Sequence, residues 1–407
     1  MATVAAPVQG VGLRSRAEAR TTADERESRF RLCMAAALLG WDLVRILGGA
    51  WDIAWHVLIG RDSFWSPPHT MLYLGVSGAG AIALAVVLIE TWRFRRGGEG
   101  VTETNSVAFG PFRAPIGFFV VGFGALTTVV SAPLDGQWHM QYGLDVTLWA
   151  PFHVMAMLGG MITAVGVIYI LASEVNRRAA RQADQRRWLG FAGPQWMLGL
   201  AFALLSSGML GAIRPARALY PFTELGPIRL LTYPILVGFV VGFILVAMAW
   251  TNRRVGSAAM VAGFQIVIQI VVVAFITAAL STVASVQELA YRRLDGAFGP
   301  ALRDFAWTGE TFGSPIGLIV AAVVIELLVI SAARRGATTR RSAWLMGGAG
   351  ALAMALLARP WASLPSLSPL AVQVAVLGPA LPVAVAAGVV GGSLGSGLGA
   401  VLRRLAH

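Results

Sequence analysis

The sequence predicts an all-α fold, a polytopic membrane helix bundle with about ten transmembrane helices arranged as five hairpins. The chain is 57% hydrophobic and only 13% charged, with a mean hydropathy of +0.70. A soluble chain of this length and composition would expose too much apolar surface. Apolar runs of spanning length recur along the whole chain, and arginine-rich segments occupy alternate loops between them. We therefore expect an integral, multi-pass membrane protein.

The apolar runs define the predicted helices in order, because about 20 residues are needed to cross a bilayer. They lie near residues 31–60, 68–93, 114–142, 149–173, 188–212, 226–251, 257–290, 313–333, 343–361 and 368–395.

Arginine asymmetry predicts the orientation of these helices. Cytoplasmic loops carry an excess of basic residues. The arginine-rich segments are 91–98, 177–187, 253–254, 334–341 and 403–404, which form one set of alternate loops plus the C-terminal end. Both termini are thus predicted to be cytoplasmic, with a bacterial cytoplasmic membrane as the setting. The net charge of +12 resides mostly in these loops, so it indicates topology and does not indicate nucleic-acid binding.

The chain divides into four predicted regions. Residues 1–30 are polar and lack the pattern of a signal peptide, so they are expected to form a cytoplasmic tail. Residues 31–175 form a four-helix membrane region with an internal repeat. Residues 188–395 form a six-helix membrane region of unrecognised type, and 396–407 form a C-terminal tail.

The internal repeat is a motif of acidic, imidazole and aromatic residues that occurs twice, at corresponding places in the first two hairpins. Four of the five histidines of the chain belong to it. The first copy contains Asp52, His56, Asp62, Trp65, Pro67 and His69, and the second contains Asp135, His139, Asp145, Trp149, Pro151 and His153. Because ionisable residues are costly inside a membrane, this concentration indicates a site, and a metal site explains it best.

The spacing of the motif explains how a metal could be held. Asp52 and His56 are four residues apart, so both lie on one helix face. The chain then turns, and the prolines before His69 suit the first turn of the next helix. Asp135, His139 and His153 repeat this arrangement. Carboxylate and imidazole donors suit Cu(II), Zn or Fe(II), and Arg61, Asp62 and Asp145 are candidates for residues that orient these ligands.

Haem of the b type is a less favoured alternative. Membrane cytochromes carry paired histidines on one helix at a spacing similar to that between His56 and His69. Here the intervening segment contains Gly60, Arg61 and Asp62, which do not suit the middle of a transmembrane helix.

The first copy of the motif resembles the C subunit of the copper membrane monooxygenases, the particulate methane, ammonia and hydrocarbon oxidisers. Asp52, His56 and His69 match the Asp-His-His copper site of that subunit, and its flanking residues match Arg61, Asp62 and Pro67. The second copy matches in spacing a second site of that family, with Asp135 where the family has Asn. The resemblance covers roughly residues 30–175.

The resemblance implies copper, O2 activation and oxidation of a small substrate, with zinc or iron as alternatives from the donor set. It also implies further monooxygenase subunits, including a periplasmic or extracellular cupredoxin-like one. Independently of the resemblance, the expected partners are the lipid bilayer and a second copy of the chain in a homo-oligomer. Whether the chain is itself an enzyme stays open at this point. The competing hypotheses are a non-catalytic membrane metal-binding protein and a structural subunit of an oxidase complex.

Two further polar pairs lie inside the predicted spans. Asp42 and Arg45 are three residues apart in the first span and are expected to form an ion pair, with a proton or electron path as the alternative. Gln265 and Gln269 form a polar stripe in the seventh span, which is typical of contacts between membrane helices.

Overall fold

The computed structural model describes residues 9–58, 63–97, 101–142, 150–181, 186–219, 222–283, 315–336, 340–357 and 378–405. This part of the chain is predominantly helical and contains ten α-helices. They are α1 (Gln9–Leu58), α2 (Pro67–Arg95), α3 (Ile116–Tyr142), α4 (Pro151–Ala180), α5 (Gly193–Leu219), α6 (Thr232–Asn252), α7 (Ser257–Val283), α8 (Pro315–Arg334), α9 (Arg340–Leu357) and α10 (Ala380–Leu402).

Eight of the described helices are long and apolar enough to cross a membrane. The apolar parts of α8 and α9, Gly317–Ala332 and Arg341–Leu357, are shorter. The chain is therefore a multi-pass helical membrane protein, while ten spans in five hairpins stays a prediction. Each predicted apolar run nevertheless corresponds to one described helix.

The first helix begins much earlier than its apolar run. Helix α1 starts at Gln9, so most of the predicted tail at 1–30 belongs to this helix. At the start of the apolar run, Arg31 is buried and lies 2.8 Å from Glu90 Oε2 of α2 and 3.2 Å from Glu27 Oε1. Because these charges are paired, α1 is still packed against α2 one turn before the apolar run. At the other end, α10 extends to Leu402, into the predicted tail at 396–407.

Three short β-hairpins connect helices and were not predicted. They are β1 (Val107–Phe109) with β2 (Phe112–Ala114), β3 (Arg187–Trp188) with β4 (Phe191–Ala192), and β5 (Phe222–Leu225) with β6 (Ile228–Leu231). The turns of the first and third contain Gly-Pro, with φ of 56° at Gly110 and 61° at Gly226. Gly-Pro is a known turn signal, so these hairpins could have been expected.

Close helix packing holds the first four helices together. Helix α1 meets α2 at Gly48, where a Cβ atom would lie 2.6 Å from the backbone nitrogen of Leu72. Helix α3 meets α4 in the same way at Gly124, where a Cβ atom would lie 2.5 Å from the backbone nitrogen of Thr163. Small residues let membrane helices approach closely. Each motif-bearing hairpin is therefore a tightly packed helix pair.

The remaining helices pack around this unit. The indole of Trp51 in α1 contacts Phe275 of α7, with ring centroids 5.7 Å apart. Helices α5 and α7 are joined by a buried hydrogen bond in which Gln265 Nε2 donates to Ser207 Oγ at 3.0 Å. The prediction that Gln265 contacts a neighbouring helix is confirmed. Helix α6 approaches α10 at Gly242, where a Cβ atom would lie 2.5 Å from the carbonyl oxygen of Gly388.

Candidate metal centre

The first candidate site lies where α1 ends and α2 begins. Asp52 and His56 lie in the last two turns of α1, and His69 is the third residue of α2. Pro67 and Pro68 occupy the first two positions of α2, where the backbone has no hydrogen bond to lose. The two prolines thus define the start of α2, and this start places His69 beside the end of α1.

The three side chains of this site converge. Asp52 Oδ1 lies 3.1 Å from His69 Nε2 and 3.8 Å from His56 Nε2. The two imidazole centroids are 6.4 Å apart, and the rings are inclined at 54°. One donor atom from each residue can be chosen so that all three lie within 4.8 Å of one another. We name this group site 1.

The second candidate site repeats the geometry between α3 and α4. Asp135 Oδ2 lies 3.2 Å from His139 Nε2 and 3.2 Å from His153 Nε2. The imidazole centroids are 5.9 Å apart at the same 54° inclination. These donors also lie within 4.8 Å of one another. We name this group site 2. The duplicated sequence motif therefore produces two separate groups, each within one hairpin.

A backbone contact orients one imidazole of site 1. His69 Nδ1 lies 3.0 Å from the carbonyl oxygen of Ser63. A carbonyl oxygen only accepts, so the Nδ1–H group of His69 donates this hydrogen bond. The contact leaves Nε2, the nitrogen that faces Asp52, as the one that could bind a metal. Tyr73, one turn further along α2, packs against the same imidazole, with ring centroids 5.8 Å apart and an inclination of 31°.

The residues present fit a divalent cation. In site 2, the Nε2 atoms of both imidazoles approach the same carboxylate oxygen of Asp135, each at 3.2 Å. Asp135 Oδ1 is shielded from solvent and has no hydrogen-bond partner among the described residues. A cation between the three residues would satisfy both imidazole lone pairs and balance the carboxylate charge. All six side chains are half-buried, so the sites remain accessible.

The haem alternative does not agree with this arrangement. The sequence pattern that suggested haem places both histidines of a pair on one helix, separated along the helix axis. His56 lies on α1 and His69 on α2, and both approach Asp52. His139 and His153 are likewise on different helices.

The two sites belong to neighbouring parts of the bundle. Phe64, in the turn between α1 and α2, lies against Gly136, the residue after Asp135. A Cβ atom at Gly136 would be 3.8 Å from Phe64 Cδ2. The turn that carries site 1 therefore contacts the helix end that carries site 2.

Some sequence-based predictions lie outside the described residues, and some contacts were not anticipated. Arg61, Asp62 and Asp145, the candidates for orienting the ligands, are in segments that the structure does not describe.

The orienting contact that is described comes from the Ser63 carbonyl, which has no side-chain signal in the sequence. Tyr73 had a usable signal, since it follows His69 by four residues, a full helical turn.

Comparisons with known proteins do not identify the chain: no protein-family model, no curated protein and no solved structure matches it. The case for function therefore depends on the geometry of the two sites and on the motif resemblance described above.

Proposed function

We propose that this chain is a copper-dependent membrane monooxygenase, or the subunit of one that holds its metal sites. The observation that carries the proposal is the pair of matched Asp/His/His groups, each with its donor atoms within 4.8 Å of one another. One carboxylate and two imidazoles leave coordination positions open for O2 and substrate. The donor set also suits iron and zinc, and the motif resemblance selects copper.

The overall reaction inserts one oxygen atom of O2 into a C–H bond of a small substrate. The other oxygen atom leaves as water, which requires two electrons and two protons from a reductant that a partner subunit supplies. A redox-active metal would supply the O2 chemistry when bound.

The residues of the chain have distinct roles in this proposal. Asp52 and Asp135 would hold the metal and compensate its charge. The four imidazoles would bind through Nε2, and the Ser63 carbonyl keeps the His69 ring in the orientation that this requires. Because both sites lie at the ends of apolar helices, substrate could arrive from the lipid phase and product leave toward water. We propose that this end of the bundle faces the outside of the cell.

A combined metal and oxygen assay tests the proposal. Membrane-extracted protein would be stripped with a chelator, reloaded separately with copper, iron or zinc, and assayed for bound metal and for reductant-dependent oxygen consumption with product formation. We expect copper to bind and to restore activity. The double variant His56→Ala/His139→Ala should lose both, whereas Glu103→Gln, at a carboxylate that is 80% exposed in a loop, should lose neither.

The same assay separates the competing functions. Copper bound stoichiometrically without oxygen consumption, even with candidate partner subunits added, would indicate a non-catalytic metal-binding protein. Oxygen consumption by the assembled complex that survives loss of all metal from this chain would indicate a structural subunit.

A further inference from the structure

An ion pair lies inside the four-helix unit, beneath the two sites. Arg45 Nε and Arg45 Nη2 each lie 2.7 Å from Asp42 Oδ1, and the Asp42 side chain is only 2% exposed. The predicted pairing of these residues is thus confirmed. Charged residues inside an apolar span are costly and usually indicate a functional role. The surroundings of Arg45 indicate what this role is.

Two glycines from other helices make the space that Arg45 occupies. At Gly75 of α2, a Cβ atom would lie 2.6 Å from the backbone nitrogen of Arg45. At Gly160 of α4, it would lie 2.6 Å from Arg45 Nη1. A methyl group at Gly75 would meet the backbone of α1, so a helix would have to move, whereas a methyl group at Gly160 would occupy the space of the Arg45 guanidinium and displace that group. Arg45 is therefore a point within the apolar part of α1 at which this helix contacts both the second helix of its own hairpin and the second helix of the other hairpin.

This meeting point lies at a similar depth below both sites. Arg45 precedes Asp52 by seven residues, and Gly160 follows His153 by seven residues. Seven residues correspond to two helical turns, or about 10 Å along each helix axis. The guanidinium group of Arg45 therefore touches α4 directly below a ligand of site 2, while its own helix carries two ligands of site 1.

Among the described residues of the second hairpin, no ion pair occupies the position that corresponds to Asp42 and Arg45. Thr128 occupies the position seven residues before Asp135 that Arg45 has before Asp52. Its hydroxyl donates to the carbonyl oxygen of Ala156 in α4, at 3.2 Å, which is a contact within the hairpin. The repeat has thus diverged at this position. The short side chain of Thr128 contacts the other helix of its own hairpin, whereas the long side chain of Arg45 extends from the first hairpin to the second.

We infer that the Asp42–Arg45 pair is a positioning element that fixes α4 against the first hairpin and so sets the distance between sites 1 and 2. Asp42 holds the guanidinium in one orientation, and Gly160 allows α4 to rest directly on it. The Phe64–Gly136 contact also joins the hairpins, at the level of the sites, and Ser28 Oγ donates to Glu174 Oε2 at the opposite end of α1 and α4. The positioning of α4 does not depend on the proposed function. Only its consequence does, namely that two metals at a fixed separation serve one reaction.

Cross-linking tests this inference without metal. Phe64→Cys and Gly136→Cys would be combined with Cys33→Ser, and metal-free membranes treated with a short bis-methanethiosulfonate reagent. We expect rapid cross-linking in this parent. Gly160→Ala should slow it, because the new methyl group pushes the guanidinium away from the position in which Asp42 holds it against α4. Gly122→Ala is the matched control, since its Cβ atom would lie 4.0 Å from the nearest heavy atom, Ala83 Cβ. It should react like the parent.

A neutral double variant provides an independent arm. Asp42→Asn/Arg45→Met removes the pair without leaving a buried charge, and it should slow cross-linking in the same direction as Gly160→Ala. Arg45→Lys, which keeps the charge, should fall between this variant and the parent. Parent-like cross-linking in Asp42→Asn/Arg45→Met would overturn the inference; if this variant does not accumulate in membranes, parent-like cross-linking in both Gly160→Ala and Arg45→Lys would overturn it. Since the assay contains no metal, failure of the proposed copper chemistry would leave its outcome unchanged.

Discussion

His69 Nε2 lies 3.1 Å from Asp52 Oδ1, although the two residues belong to different helices. The contact exists because α1 carries Asp52 near its end and α2 begins at the Pro67-Pro68 pair. Asp135 and His153 are related in the same way at 3.2 Å. The carboxylates are thus central to both groups, and their removal gives the most specific predictions about metal stoichiometry.

Replacing one carboxylate should affect one site only. Asp52→Asn and Asp135→Asn are nearly isosteric changes that remove a charged ligand, so each should remove about one metal equivalent without unfolding the protein. The double variant should lose both. Mass-spectrometric metal quantification of the three purified variants measures this. If either single variant lost all metal and the double lost no more, the two hairpins would share one metal. Unchanged stoichiometry in all three would mean that the aspartates are not ligands.

Thiol labelling should place the turn between α1 and α2 and the loop between α4 and α5 on opposite sides of the membrane. In a Cys33→Ser background, a cysteine at Ser63 should react with an impermeant reagent added from outside, because it lies in the turn that carries site 1. A cysteine at Arg187, in the exposed strand β3, should react only after the membrane is permeabilised. Both arms use intact cells, with permeabilised cells as the control for reactivity. The reverse labelling pattern would place the two sites on the cytoplasmic side.

The buried network around Arg31 should contribute strongly to stability. Arg31→Met leaves the buried Glu90 carboxylate without its 2.8 Å partner, and we expect a loss of about 3–5 kcal/mol. The double variant Arg31→Met/Glu90→Gln should recover much of this loss, because no uncompensated charge remains. Thermal unfolding in detergent measures both. Equal destabilisation by the single and double variants would show that the pairing of Arg31 with Glu90 does not determine the stability of this region.

Much of the fold could be predicted because membrane helices are defined by a simple physical requirement. A run of about 20 apolar residues is needed to cross the bilayer, and every predicted run contains a helix among the described residues. The start of α1 was not predictable in this way, since its early turns are polar. The polar turn just before the apolar run is stabilised by pairs such as Arg93 with Glu27, at 2.8 Å, which join residues distant in sequence.

The ligand groups could also be predicted, because a spacing of four places Asp52 and His56 on one helix face and the prolines mark the next helix start. The relation between the two groups could not. It depends on which helices pack side by side, and thus on contacts such as that of Arg45 with Gly160, which have no local signal. The Ser63 carbonyl that orients His69 is similarly invisible in the sequence, because every residue has a carbonyl group.

The most direct test of the central claim is metal quantification of the protein extracted from its native membrane, compared with the variant His56→Ala/His139→Ala. Two Asp/His/His groups predict about two copper equivalents per chain in the native protein. They also predict loss of most of this copper in the double variant, with Glu103→Gln unchanged. Full retention of metal in the His56→Ala/His139→Ala protein would contradict the assignment of these groups as metal sites.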